Sequence, residues 1–312
     1  MTINEHMTEF AGRDVVQWEP GEPVPNPATV MPRIGLTWEE EDDAAWTDKF
    51  GRYLETPGAG TTTGLVVGQW AGNLGEADAI ERVVQAVVAA RDTLPALNAL
   101  FLGDVTYEES EISWIEQTDV SPLLRAYPQL EHFGVRGGNN LRLGPIRHDR
   151  LRTLIVEAGG LPRAVVHEVL AATLPQLEHL DLWLGTEEYG ADTTLEDLAP
   201  LLAGGLFPRL RYLGLRDSDL TDEIAIALVG APILERVEVL DLSLGTLSDA
   251  GAAALLANPA IARLRRLDLH HHYCSPEMVR KLQALPIEVD VSDPQEADHW
   301  NGVDHRFVAV GE

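Results

Sequence analysis

Seven times along the chain a leucine or other apolar residue is followed by apolar residues three and five positions later, often with another at ten. The matches are Leu97/Leu100/Leu102, Leu130/Phe133/Val135, Leu151/Leu154/Val156, Leu177/Leu180/Leu182, Leu210/Leu213/Leu215, Val237/Leu240/Leu242 and Leu264/Leu267/Leu269. Their starts are 33, 21, 26, 33, 27 and 27 residues apart. Apolar residues at +3 and +5 have the period of a strand with one inward face. A unit that recurs at this spacing cannot bury its apolar face alone and must stack on its neighbours. Gly64–Trp70 (GLVVGQW) and Ile287–Val291 (IEVDV) read as weaker opening and closing units.

Between these strands the apolar period lengthens to that of a helix. Glu76–Arg91 places Ala79, Ile80, Val83, Val84, Val87 and Val88 on one stripe, and shorter helical runs are expected at Leu161–Ala172, Thr194–Leu202, Thr221–Val229, Ser248–Leu256 and Pro276–Leu285. Thr221, Ser248 and Ser275 stand where an N-terminal hydroxyl satisfies a free N–H, with acids or proline in the first turn. The 21-residue interval leaves little room for a helix. A doubly wound sheet is the weaker reading, because its buried strands carry continuous apolar runs rather than one recurring unit.

The LxxLxLxxxxL unit followed by a helix resembles the leucine-rich-repeat superfamily, in particular its ribonuclease-inhibitor-like class; LRYLGLRDSDLTDEIAIALV and VEVLDLSLGTLSDAGAAALL are the clearest copies. With GLVVGQWAG and the acidic, Trp-containing leader, the chain is also similar to an uncharacterised bacterial leucine-rich-repeat family, whose members the resemblance implies to be adaptors rather than catalysts. It implies an α/β solenoid, a horseshoe with a parallel sheet on the concave face, helices on the convex face and capped ends. The asparagine expected at +8 is replaced by Gly138, Gly159, Gly185, Ser218, Gly245 and His272, so a regular asparagine ladder is not expected. Residues 1–61 are expected to form an acidic cap with short strands at Val15–Trp18 and Arg33–Trp38, with Trp18, Trp38 and Trp46 covering the first repeat. Residues 62–292 form the solenoid of about eight or nine repeats. Residues 293–312 supply a capping strand at Arg306–Val310, with Trp300 as part of a lid.

If +3 and +5 point inward, +2, +4 and +6 face outward, and each column forms a stripe across strands about 4.8 Å apart. Column +2 reads Ala99, His132, Thr153, His179, Tyr212, Val239, Arg266; column +4 reads Phe101, Gly134, Ile155, Asp181, Gly214, Asp241, Asp268; column +6 reads Gly103, Arg136, Glu157, Trp183, Arg216, Ser243, His270. The C-terminal half concentrates residue types common at binding hot spots. The expected partner-binding set is His179, Asp181, Trp183, Tyr212, Arg216, Asp241, Arg266, Asp268 and His270. The aspartate stripe, which Asp290 extends, either receives Lys or Arg from a partner or bonds to Arg216 and Arg266 of its own chain. Trp183 favours binding, since a solvated sheet does not require it.

With 50 acidic against 23 basic residues the formal charge is −27, which repels nucleic-acid phosphates and anionic lipid and attracts cationic proteins. The partner is therefore expected to be a protein with a basic surface, neither nucleic acid nor membrane, and the oligomeric state is left open. Cys274 is the only cysteine, which excludes an intramolecular disulfide and a cysteine-based zinc site. There is no basic n-region followed by an apolar stretch at the start, so the cytosol is expected. Strand alternation splits His270-His271-His272 between faces and turns Cys274 inward, so no metal and no cofactor are expected. No GxSxG, HExxH, GxGxxG or GxxxxGK[ST] occurs. A non-catalytic interaction module is the expected function. The alternatives are an enzyme or enzyme subunit using the aspartates, with a divalent cation, and a self-associating solenoid.

Overall fold

The computed structural model describes residues 3–37 and 45–311. They divide into two compact units: one comprises Ile3–Val156 with Ala171–Pro175, the other Glu157–Leu170 with Gln176–Gly311. Trp38, one of the three tryptophans expected at the N-terminal end, lies outside the described residues.

The first unit contains β1 (Glu9–Phe10), β2 (Arg13–Gln17), β3 (Val30–Ile34), β4 (Gly64–Val67), β5 (Ala99–Leu102), β6 (His132–Arg136) and β7 (Thr153–Glu157), with helices α1 (Ala45–Glu55), α2 (Ala77–Ala89) and α3 (Ser121–Ala126). From β2 to β6 each strand runs parallel to the next. The leucine ladder is the reason: Leu100 and Leu102, Phe133 and Val135, and Leu154 and Val156 are at most 1% exposed. Trp18 meets Tyr53 edge-on at 5.0 Å, and Trp46 stacks on Phe50 at 5.1 Å while donating its Nε1–H to the Ile34 carbonyl. No α-helix separates β6 from β7 among the described residues.

The other face of this sheet is not open. β1 turns back on β2 through Ala11 and Gly12, both with positive φ, the backbone pair that a tight hairpin demands. Arg13 fixes the hairpin by donating to Thr63 and Asn98. Phe10 then covers Met31, Val66, Ala99 and Phe101, with Met7, Ala11, Val15 and Ile155 around them. The outward positions Ala99, Phe101 and Ile155 were expected on a concave surface; they instead form a second apolar layer, because the leader supplies an aromatic lid.

In the second unit α4 (Arg163–Leu170), β8 (His179–Gly185), α5 (Leu195–Leu202), β9 (Tyr212–Ser218), α6 (Thr221–Ala227), β10 (Val239–Asp241), α7 (Asp249–Ala257), β11 (Arg266–Asp268), α8 (Pro276–Gln283) and β12 (Glu288–Asp290) alternate. The helices follow the expected runs to within a few residues. Thr194 and Asp197 form a reciprocal capping box on α5, and Ser248 and Ser275 cap α7 and α8. The strands pair parallel in one register, Asp181↔Gly214↔Asp241↔Asp268↔Asp290, so the outward columns align as the repeat predicts.

After β12 the chain differs from expectation. Strands form at β13 (Asp298–Trp300) and β14 (Val303–His305), because Asn301 and Gly302 both take positive φ and place a hairpin turn there. Residues 306–311 form no strand. They cross the turns that follow the repeat strands: Ala309 N–H donates to the Leu244 carbonyl, Val310 N–H to Asp217, and Arg306 to Asp222.

Candidate functional site on the second sheet

The nine expected binding residues all lie on the face of β8–β11 that carries no helix, and the structure brings most of them into contact. His179 and Tyr212 stack in parallel at 3.8 Å. The Arg216 guanidinium sits 5.0 Å over the Trp183 ring and reaches Asp181 at 3.2 Å and Asp241 at 3.4 Å, with Nε donating to Ser243. Tyr212 donates its hydroxyl to Asp241 at 2.6 Å. Arg266 spans Asp268, Asp290 and Glu288, and His270 bonds Asp268 at 2.7 Å.

The aspartates do not await an outside cation. Asp181, Asp241 and Asp268 are 4%, 5% and 7% exposed and each has an arginine of its own chain. Three stripe members also share a local task. Asp241, Asp268 and Asp290 each accept, through Oδ1, the backbone N–H two residues on, from Ser243, His270 and Ser292. That bond withdraws the N–H from the ladder, and β10, β11 and β12 stop at those aspartates. β8 and β9 run on for seven residues.

Asp181 is the exception. Its Oδ1 is buried and accepts no hydrogen bond among the described residues. Burial raises its carboxyl to about 6, with Arg216 opposing the shift and Asp241 and Glu157 adding to it. Asp268 moves the other way: despite burial, hydrogen bonds from His270 and Arg266 hold it at about 2. Hydrogen bonding to Asp268 raises His270 above the ordinary imidazole range. Burial and the two nearby aspartates push the Tyr212 phenol far up. Tyr212 therefore stays a neutral donor.

The histidine run is split, but not by strand alternation, because β11 ends at Asp268 and His271 takes a left-handed φ. His270 faces the sheet surface; His271 is buried against the Phe307 carbonyl; His272 bonds the Val291 carbonyl and accepts the Cys274 N–H. Cys274 is buried and free. Among the described residues one group has ligand atoms close enough for a metal ion, Asp268, His270 and Asp290, all within 4.8 Å of one another. Arg266 holds both of its carboxylates.

A second charged centre, in the first unit, escaped sequence reasoning. Asp104, with no exposure, lies between Arg33 at 2.7 Å and Arg136 at 3.8 Å and accepts the Met7 N–H. Against the cost of burial, His6, the Met7 N–H and the two arginines hold it at about 2. Gly35 and Gly68 leave room for Arg33, since a β-carbon at either would stand 2.5 Å from its guanidinium. Beside it opens a cleft of about 640 Å³ lined by His6, Gln17, Arg33, Gln69 and Glu109 among others. Gly35, two residues after Arg33, was the available signal.

Superposed on a crystal structure of a Bacteroides fragilis protein, a structural-genomics target, the chain gives a TM-score of 0.80 at 32% identity, over 90% of this chain and 77% of that one. The chain belongs to that protein's family and is a leucine-rich-repeat protein. An internalin from Listeria monocytogenes gives a TM-score of 0.40 at 14% identity, over 86% of this chain and 61% of that one. No protein-family model matches the sequence, and no curated protein does. The leucine-rich-repeat sheet is mostly parallel and is not closed, and among the described residues no helix is long and apolar enough to cross a membrane.

Proposed function

We propose that this leucine-rich-repeat protein is a non-catalytic interaction module, an adaptor of the cytosol, that binds a protein through the helix-free face of its second unit. The observation that carries this reading is the contrast between the two sheets. The first is closed by Phe10 and its hairpin. The second carries aligned rings and arginines in which Trp183, 7% exposed, is covered by Arg216 rather than by an aromatic lid of the kind Phe10 forms. Tyr212, Arg216, Trp183 and His179 hold one another in place, so little side-chain freedom remains to be lost on binding, which favours affinity. The accessible tips are Arg266, His270 and Arg216, at 34%, 23% and 17% side-chain exposure, over a buried acidic layer. The formal charge of −27 supports a partner that is basic overall, with an acidic group to meet Arg266, and disfavours nucleic acid and anionic membrane.

Affinity purification from the native cell, with mass spectrometry, tests this. Proteins retained by the wild type should be lost from a His179→Ala/Arg266→Glu variant that keeps its melting temperature. Equal retention by both proteins would remove the sheet face from the account. A second reading is favoured by the Asp268–His270–Asp290 group: a divalent cation displaces Arg266 and the acids do chemistry. Calorimetry with Mg²⁺, Mn²⁺ and Zn²⁺ decides it, since an absence of heat at millimolar metal leaves that reading without support.

A further inference from the structure

The C-terminal hairpin is anchored at its base and packs on little else. Before it, Gln295 N–H donates to the His272 carbonyl. After it, the Phe307 carbonyl accepts from Tyr273, and Arg306 pairs with Asp222. Between these ties β13 and β14 pair only with each other among the described residues, and five of their six residues are exposed. An isolated two-stranded hairpin is marginal in water, and both outer edges offer backbone N–H and C=O groups to a further strand.

Its surface carries large apolar side chains. Trp300, Val303 and Phe307 are 46%, 55% and 49% exposed. Trp300 stacks on His305 at 3.7 Å and lies 6.1 Å from Phe307. Asp298 and Asp304 lie on the two strands, with Asp304 bonded to His299, and Asp293 and Glu296 precede them in the chain.

We propose that this hairpin is a docking element, separate from the repeat sheet, that adds one extended, lysine-rich segment of a partner protein as a third strand. Two arguments choose that occupant over a second copy of the chain. Two half-exposed rings and a valine present on the order of 300 Å², far short of the ~800 Å² per partner of a stable dimer but enough for one strand. Two chains of formal charge −27 repel, whereas a basic strand meets the carboxylates along the ribbon. Main-chain pairing supplies the affinity, and alternate apolar side chains lie on Trp300 and Phe307.

The test is fluorescence anisotropy of the full chain with a labelled nine-residue peptide that alternates lysine and valine. The wild type should bind it, and Trp300→Ala should weaken binding roughly tenfold, the loss of about one interface anchor. Asp298→Asn keeps the rings and should weaken binding several-fold while flattening its salt dependence. N-methylation of alternate peptide nitrogens should abolish binding. The proposal is overturned if the peptide does not bind at millimolar concentration, if a glutamate–valine counterpart binds as well, or if Trp300→Ala binds unchanged. It is also overturned if binding is lost from the His179→Ala/Arg266→Glu variant instead. Sedimentation velocity adds one more arm: a dimer dissolved by Trp300→Ala would make the second copy the occupant.

Discussion

Asp181 leans over Gly214 on the neighbouring strand, with one carboxylate oxygen 2.6 Å from where a β-carbon would stand. Every other strand of the second sheet from β8 to β12 has aspartate at this register position, so the glycine is the gap into which Asp181 fits. Gly214→Ala would push the carboxylate off Arg216 and crowd the Tyr212 ring. The expected cost is about 1–3 kcal/mol in urea unfolding. In an Asp181→Ala background the same change should cost less than half as much, a coupling that a double-mutant cycle reads directly.

Asp181 also sets a pH dependence of opposite sign to that of a paired surface acid. Its folded value of about 6 lies above the unfolded value near 4, so the folded state holds the proton more tightly. The ionised carboxylate therefore penalises folding fully above about pH 6, and the penalty fades as pH falls toward 4. Two units correspond to about 3 kcal/mol as an order of magnitude. Asp181→Asn should raise stability at pH 7.5 and leave it unchanged at pH 4, by urea denaturation at both. A variant less stable than wild type at pH 7.5 would show that the Arg216 pair outweighs burial.

The inward ladder was legible because it is local: Leu180 and Leu182 are recognised by spacing alone, and so is the outward direction of Asp181 and Trp183. Which charge meets which was not. Arg216 bridges Asp181 and Asp241, 35 and 25 residues away along the chain, and that choice depends on register and on the gap at Gly214. The Asp-x-Ser and Asp-x-His pairs at 241–243, 268–270 and 290–292 are visible, but the sequence sets their carboxylates only against a partner's cation or against Arg216 and Arg266, since it does not show a side chain bonding its own backbone. Phe10 could not be assigned to the sheet face, because no periodicity links a leader to strands ninety residues on. Asn301-Gly302 was a readable hairpin signal that the apolar run RFVAV obscured.

Asp104 has the ordinary sign. Its folded value of about 2 is below the unfolded one, so its stabilisation is complete above about pH 4 and is lost as pH falls toward 2. Asp104→Ala leaves Arg33 and Arg136, both 5% exposed, without their shared carboxylate. Thermal unfolding at pH 7 should show a loss of about 3–5 kcal/mol, the scale for breaking a buried ion pair from one side. Replacing Gly68 by Ala should give a smaller loss, since it displaces the guanidinium without removing its partner.

Phe10 is the lid of the first sheet, meeting Phe101 edge-on at 5.5 Å. Phe10→Ala should destabilise by about 3 kcal/mol and let a hydrophobic dye bind over Met31, Val66 and Phe101. Phe10→Leu should restore most of the stability and exclude the dye. Dye binding that is equal in both variants would mean that the hairpin itself, rather than the ring, closes this face.

Asp217 ties down the C-terminal segment. It has no exposure and a left-handed backbone, and burial pushes its carboxyl well up, against the backbone N–H groups of Val310 and Ala309. Removing the acceptor should free residues 306–311 from the turns they cross, and Arg306 then becomes a cleavage site for trypsin. Asp217→Ala should lose the six residues 307–312 in limited proteolysis, read by intact mass, under conditions that leave the wild type whole. Asp217→Asn keeps an oxygen for the Val310 N–H and sheds the burial penalty of the charge, so its tail should stay protected and its stability at pH 7 should equal or exceed that of the wild type. If the alanine variant resists trypsin as well as the wild type does, the Arg306–Asp222 pair and the Phe307 carbonyl, not Asp217, hold the segment.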